Sequence, residues 1–178
     1  MIKEYTINQI RDEILKDIYL EQPDVICFSC YIWNVSFVKE LVPDLMKILP
    51  DADFWAGGPE VSYDAEKFLR SNPAFSGVMV GEGEETFQEL AGHYIEGKPE
   101  NLKEIRGVAF RNEDKVPDIV HTGWRELMDL SKVPLHIRIL KSSKTGSFIM
   151  KAAEAAPFPA VTVFRLLIRN FDSVILKL

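Results

Sequence analysis

"DFWAGGPEVS", residues 53–62, is the stretch on which the fold turns. A short apolar run ends in two glycines, a proline and a glutamate. Glycine lets backbone approach a neighbour closely and takes positive φ at little cost. Gly57 and Gly58 would then leave a slot at a strand end, and Pro59 would stiffen the way out. The other reading is a tight strand-to-helix turn that holds nothing. Both stand at this point.

Outward from there, strand-like and helix-like segments alternate. "IKEYTI" (2–7) alternates like a short strand. "NQIRDEILKDIYLEQP" (8–23) puts Ile10, Ile14, Leu15 and Ile18 on one helical stripe, with Asn8 as N-cap and Pro23 as stop. "DVICFSCYI" (24–32) is a nearly unbroken apolar run, which suits a strand covered on both faces. "NVSFVKELVPDLMKILP" (34–50) reads as a helix capped by Asn34, with Pro43 placed to kink it. A short helix is expected in "SYDAEKFLRSNP" (62–73), and a strand in "SGVMVGEG" (76–83). "EETFQELAGHYIEG" (84–97) is helical up to Gly97, and "IRGVAFRNEDKVPDIVH" (105–121) gives a strand, a polar turn and a second strand. This order predicts right-handed βαβ crossovers and a mostly parallel sheet with helices on both faces. Ligands of such sheets lie beyond the carboxyl ends of the strands.

Three strand ends therefore hold the candidate residues. The first is "SCYIWN": Ser29, Cys30, Tyr31, Ile32, Trp33 and Asn34. Aromatic bodies with polar tips suit a large flat ligand, or else make an ordinary core rim. The second is Gly57, Gly58, Pro59, Glu60 and Val61. The third is Gly81, Glu82, Gly83 and Glu84 in "GEGEETF". That loop is neither G-x-G-x-x-G nor a Walker loop. Its carboxylates suit a helix N-terminus but would repel a polyphosphate. They fit a partner rich in N–H and O–H donors, or merely cap a solvated helix.

Bulk properties narrow the class. The chain has 178 residues, 47% of them hydrophobic and 27% charged, the ordinary balance of a soluble globular protein. A net charge of -6 disfavours nucleic acid as a partner. No apolar run approaches a membrane span, and no secretory signal opens the chain, so a cytoplasmic location without a membrane partner is expected. Cys27 and Cys30 form a C-x-x-C, but in a strand rather than at a helix N-terminus. Three steps along a strand put them on opposite faces, which favours two buried thiols over a disulfide or a chelate. The histidines lack metal-site spacing. No catalytic acid, nucleophile or metal ligand is expected, and Glu60 and the loop glutamates are hydrogen-bonding candidates.

Taken in order, "SCYIWN", "GGPEVS" and "GEGEETFQEL" resemble the cobalamin-binding domain at the N-terminus of cobalamin-dependent radical S-adenosylmethionine enzymes. The resemblance covers roughly residues 1–134. It implies a flavodoxin-like (Rossmann-like) fold and cobalamin as cofactor. It also implies that the loop containing Ser29 and the slot at Gly57 and Gly58 line the channel for the nucleotide tail, with Gly81 to Glu84 nearby. In that family a [4Fe-4S] cluster and S-adenosylmethionine serve methyl transfer and radical chemistry. Two departures set further expectations. The family's first βα unit, whose strand lies mid-sheet, has no counterpart here, which would leave strand edges open to self-association. The cluster motif C-x-x-x-C-x-x-C is absent, so neither cluster nor S-adenosylmethionine is expected in this chain. A receiver-like or flavodoxin-like module without cobalamin, and a nucleotide-using enzyme, are the alternatives. The first would show clustered aspartates and the second a phosphate loop.

The composition changes near Pro134. Residues 1–135 carry 14 Lys and Arg against 25 Asp and Glu, a net of -11; residues 136–178 carry 7 against 2, a net of +5. The genetic code offers an explanation. Reading each codon from the last base of one residue and the first two of the next, Met150 and Lys151 force GAA, a glutamate. The remaining codons admit "YYESSRGCPFSCSYC" over residues 149–163. Cysteine is one of four options at Ala156, at Ala160 and at Val163, and those spacings are the missing cluster motif. Residues 135–178 are therefore expected to be a poorly ordered tail, translated out of frame from the start of a radical domain. Taken at face value instead, "AVTVFRLLI" is a strand that fills the gap in the sheet, or the basic tail meets a membrane surface or a partner.

Overall fold

The computed structural model describes residues 3–4, 8–97, 99–112, 118–126, 162–166 and 175–177. One unit takes in residues 1–126 and 159–178; the other, Leu127–Phe158, lies outside the described residues, as does most of the expected tail. In chain order the elements are β1 (Lys3–Glu4), α1 (Arg11–Glu21), β2 (Val25–Ser29), α2 (Val35–Ile48), β3 (Asp53–Gly57), α3 (Pro59–Ser62), α4 (Ala65–Ser71), β4 (Gly77–Met79), α5 (Gly83–Glu96), β5 (Val108–Arg111), β6 (Ile119–His121), β7 (Thr162–Leu166) and β8 (Ile175–Lys177). The sheet order is β1-β8-β7-β2-β3-β4-β5-β6.

Strands β2, β3 and β4 lie side by side and parallel, so their carboxyl ends share one edge. The β5–β6 hairpin closes the far side antiparallel, as the two-strand reading of residues 105–121 predicts. Between β1 and β2 stand β8 and β7, with β7 antiparallel to β2. There β7 fills the middle of the sheet, the place that "AVTVFRLLI" takes when it is read at face value as a strand. The result is a mixed α/β sheet of flavodoxin-like order.

Strand alternation divides the core into two layers. Ile26, Phe28, Phe54, Ala56 and Val78 pack with α1, α2 and α4 on one face. Val25, Cys27, Trp55 and Met79 pack with Leu90 of α5 on the other. Trp55 is fully buried, and a Cβ at Gly77 would lie 2.3 Å from its ring, so a residue without a side chain is required beside it. Its indole Nε1 donates to Tyr94 Oη at 2.9 Å, and Tyr94 donates to Asp53 Oδ2 at 2.8 Å. These bonds fasten α5 to the start of β3.

Two helices differ from the sequence reading. The first helix begins at Arg11 and not after Asn8, because the Ile10 carbonyl closes its first turn by accepting from Glu13 and Ile14. Ile10 is therefore exposed, and the buried stripe consists of Ile14 and Ile18. Pro43 is exposed within α2, which runs unbroken through it.

Candidate functional site

The first strand end is fixed by Asn34. This residue is fully buried just before α2. Its Oδ1 accepts from Tyr31 N at 2.8 Å and its Nδ2 donates to Ser29 O at 3.0 Å. The side chain thus locks the loop that leaves β2 instead of capping the helix. Ser29 is half-buried at the edge. Tyr31 and Trp33 stack with centroids 4.8 Å apart and planes 4° from parallel. Trp33 is 42% exposed and Ile32 75%, so these two face outward from the strand end, while Tyr31 is half-buried.

The second and third ends are tied to the first and to each other. Cys30 N donates to Gly57 O at 2.6 Å, and Glu60 N donates to Cys30 O. Gly58 has φ +98°, and a Cβ there would lie 2.5 Å from the Cys30 carbonyl oxygen. The room left by its missing side chain is taken by the end of β2, so Gly58 permits close approach of two strand tips. A Cβ at Gly57 would sit 3.4 Å from the Met79 side chain. Pro59 and Glu60 continue into exposed positions, while Val61 is buried against the core. The next residue, Ser62, is the clamp: its Oγ donates to Gly58 O at 2.8 Å and accepts from Gly81 N at 3.3 Å. One buried hydroxyl thereby holds both glycine loops.

At the third end Gly81 has φ +81°, and the Trp124 ring lies 3.4 Å from where its Cβ would be. Nothing lies within 4 Å of a Cβ at Gly83. Glu82 and Glu84 are exposed around the start of α5, where the helix dipole favours carboxylates. Glu85, in that same first turn, and Glu89, one turn on, are engaged by Arg125. Arg125 also donates through Nε to Thr86 Oγ1 at 2.9 Å and to Arg106 O at 3.1 Å.

Cys27 and Cys30 fall in the two separate core layers, as strand geometry predicts. Burial pushes both thiols up to about 12; the Asp53 carboxylate adds to the shift at Cys27. Neither thiol supplies a thiolate near neutral pH. Among the described residues there is no cluster of His, Cys, Asp and Glu fit to hold a metal ion.

All three predicted loops thus meet at one edge of the sheet. Sequence reasoning missed Ser62, although it closes the quoted stretch, and missed Trp124 in "HTGWRE", beyond the hairpin.

The B12 binding domain family matches residues 2–91, half of the chain, and the chain belongs to that family. The cobalamin-dependent radical SAM methyltransferase TokK of Streptomyces tokunonensis is 31% identical over 97 residues, 51% of this chain and 13% of that protein. The 2-(S-pantetheinyl)-carbapenam-3-carboxylate methyltransferase of Streptantibioticus cattleyicolor is 30% identical over 100 residues, 52% of this chain and 14% of that protein. An uncharacterized methyltransferase of Pyrococcus horikoshii is 38% identical over 60 residues, 34% of this chain and 13% of that protein. The matched stretch is therefore a small part of each relative. The N-terminal domain of a hypothetical protein of Thermotoga maritima aligns over 50% of this chain and 69% of its own, at 25% identity and a TM-score of 0.36.

Cobalamin is the cofactor of the family, and the donor chemistry of the edge fits it. Corrin side chains are amides, which the hydroxyl of Ser29 and the carboxylates of Glu60, Glu82 and Glu84 can accept from. Trp33 and Ile32 are exposed at the first strand end, and nothing lies within 4 Å of a Cβ at Gly83. No described helix is long and apolar enough to cross a membrane.

Proposed function

We propose that this chain holds cobalamin along the shared edge of β2, β3 and β4, as the cofactor-binding module of a radical SAM enzyme, without catalysis of its own. The observation that carries the reading is the coupling of three loops at parallel strand ends: Cys30 to Gly57, and Ser62 to Gly58 and Gly81. When bound, the cofactor's cobalt supplies a carrier for a methyl group. The residues of the chain bind and orient. Ser29, Glu60, Glu82 and Glu84 accept from amide and hydroxyl donors; Tyr31, Ile32 and Trp33 offer apolar surface. Cys30, Asn34, Gly57, Gly58, Pro59, Val61, Gly81 and Gly83 set the backbone that presents them. Burial keeps the Cys30 thiol protonated near neutral pH, and Glu60, Glu82 and Glu84 stand exposed at the surface. The names of the two Streptomyces-type relatives, both methyltransferases, support the enzymatic context.

Titration of the purified chain with hydroxocobalamin tests the reading. A saturable change in the visible spectrum and colour retained through gel filtration are expected. A spectrum that stays the sum of its components would leave a flavodoxin-like module that does not bind cobalamin.

We also propose that residues from about 135 onward are read out of frame from the beginning of a radical domain. The codon constraint across residues 149–163 and the charge switch near Pro134 support this; β7 and β8 would then be fortuitous strands. Sequencing the coding DNA decides it. Three cysteine codons in the neighbouring frame are expected at Ala156, Ala160 and Val163, and any other codons there end the idea.

A further inference from the structure

We infer that Trp124 and Tyr63 form a second aromatic wall of the cobalamin site, at the third strand end, in addition to Tyr31 and Trp33 at the first. The inference rests on the cobalamin-binding reading and adds two residues to it. Tyr63 is 87% exposed and Trp124 49% exposed, yet their rings lie 6.2 Å apart, inclined by 50°. Both stand at the third strand end: Tyr63 follows the Ser62 clamp, and the indole of Trp124 lies over Gly81.

The backbone that carries Trp124 is anchored on both sides. Before it, Gly123 accepts from Gly107 N at 3.0 Å and donates to His121 Nδ1 at 2.9 Å. After it, Arg125 is held by Thr86, the Arg106 carbonyl, Glu85 and Glu89. A large ring fixed in this way and left half in water forgoes burial that its own core does not supply. Rigid aromatic faces suit planar, conjugated partners, since they lose little side-chain freedom on contact. Cobalamin offers two such surfaces, the macrocycle and the base of its nucleotide. The wall is built for one occupant, and the two surfaces are separated by a corrinoid that lacks the nucleotide.

The test compares the 178-residue wild-type chain, Trp124→Ala, Trp124→Phe and Tyr63→Ala by visible-spectrum titration, each with cobalamin and with cobinamide. Far-ultraviolet circular dichroism checks that the folds match, and the exposure of Tyr63 makes its variant safe for folding. Trp124→Ala should bind cobalamin about tenfold more weakly, the scale of one lost aromatic stack. Tyr63→Ala should lose about threefold, and Trp124→Phe should stay near wild type. A loss with cobalamin alone places the nucleotide base on the wall; a loss with both corrinoids places the macrocycle there. Wild type that binds while both alanine variants bind equally well overturns this inference alone. Wild type that does not bind overturns the cobalamin reading and this inference with it.

Discussion

Gly58 and Asn34 each do something that no other residue type can do in their place. At Gly58 a Cβ would meet both a positive φ and the Cys30 carbonyl. Gly58→Ala should therefore destabilise the chain by about 1–3 kcal/mol through backbone strain, and more if the two strand ends cannot part. A fall in the urea midpoint with an unchanged slope would show it. Asn34→Ala leaves the Ser29 carbonyl and the Tyr31 N–H without the buried side chain that pairs them. It should cost about 2–3 kcal/mol of stability, and the loosened loop should weaken cobalamin binding as well. Stability unmoved in equilibrium unfolding would mean that water replaces the side chain. The sequence announced the first residue by its neighbours in "GGPE". It announced the second as a helix cap and as one residue of "SCYIWN", and hid the lock because a cap and a loop lock use the same asparagine.

At the scale of elements, β2 and α5 carry the predictions. Strand β2 and the residue just past it hold two thiols, each raised from 9.0 to about 12 by burial. A folded-state pKa above the unfolded one keeps full stability below pH 9 and loses it as pH rises from 9 toward 12. The unfolded chain can release those protons while the folded chain cannot. The loss should approach about 1.4 kcal/mol per pH unit for each thiol. Urea midpoints at pH 8 and pH 10 measure it, and a Cys27→Ala, Cys30→Ala double variant should flatten the slope in that window. Helix α5 is joined to β3 through Tyr94, whose hydroxyl links Trp55 to Asp53. Tyr94→Phe leaves both partners unmatched and should cost about 1–3 kcal/mol, read from thermal or urea unfolding. Local pattern revealed both elements, β2 as an apolar run and α5 as a helical segment closed by Gly97. The tyrosine's bonds were not legible, because its partners lie 39 and 41 residues away.

For the molecule as a whole, binding and folding are linked. A ligand held at the shared edge stabilises only the state in which β2, β3 and β4 lie together. Cobalamin at a hundred times its dissociation constant should add about 2.7 kcal/mol. The melting temperature should climb with concentration, and a flat response would deny that the folded edge is the receptor. The fold class was readable because strand and helix patterns alternate and parallel crossovers have one hand. The meeting of the three loops followed from the same rule. The Tyr63–Trp124 pair was hidden, since a hairpin has to fold back before residue 124 reaches residue 81. The position of β7 beside β2 was open in the sequence too, where a slipped frame was the leading reading and a gap-filling strand the rival.

The division of Cys27 and Cys30 between the two sides of the sheet has a practical use. An alkylating reagent can reach either sulfur only after the layer above it lifts. The order in which the two adducts accumulate would therefore record which side of the sheet breathes first, with the protein reporting on itself.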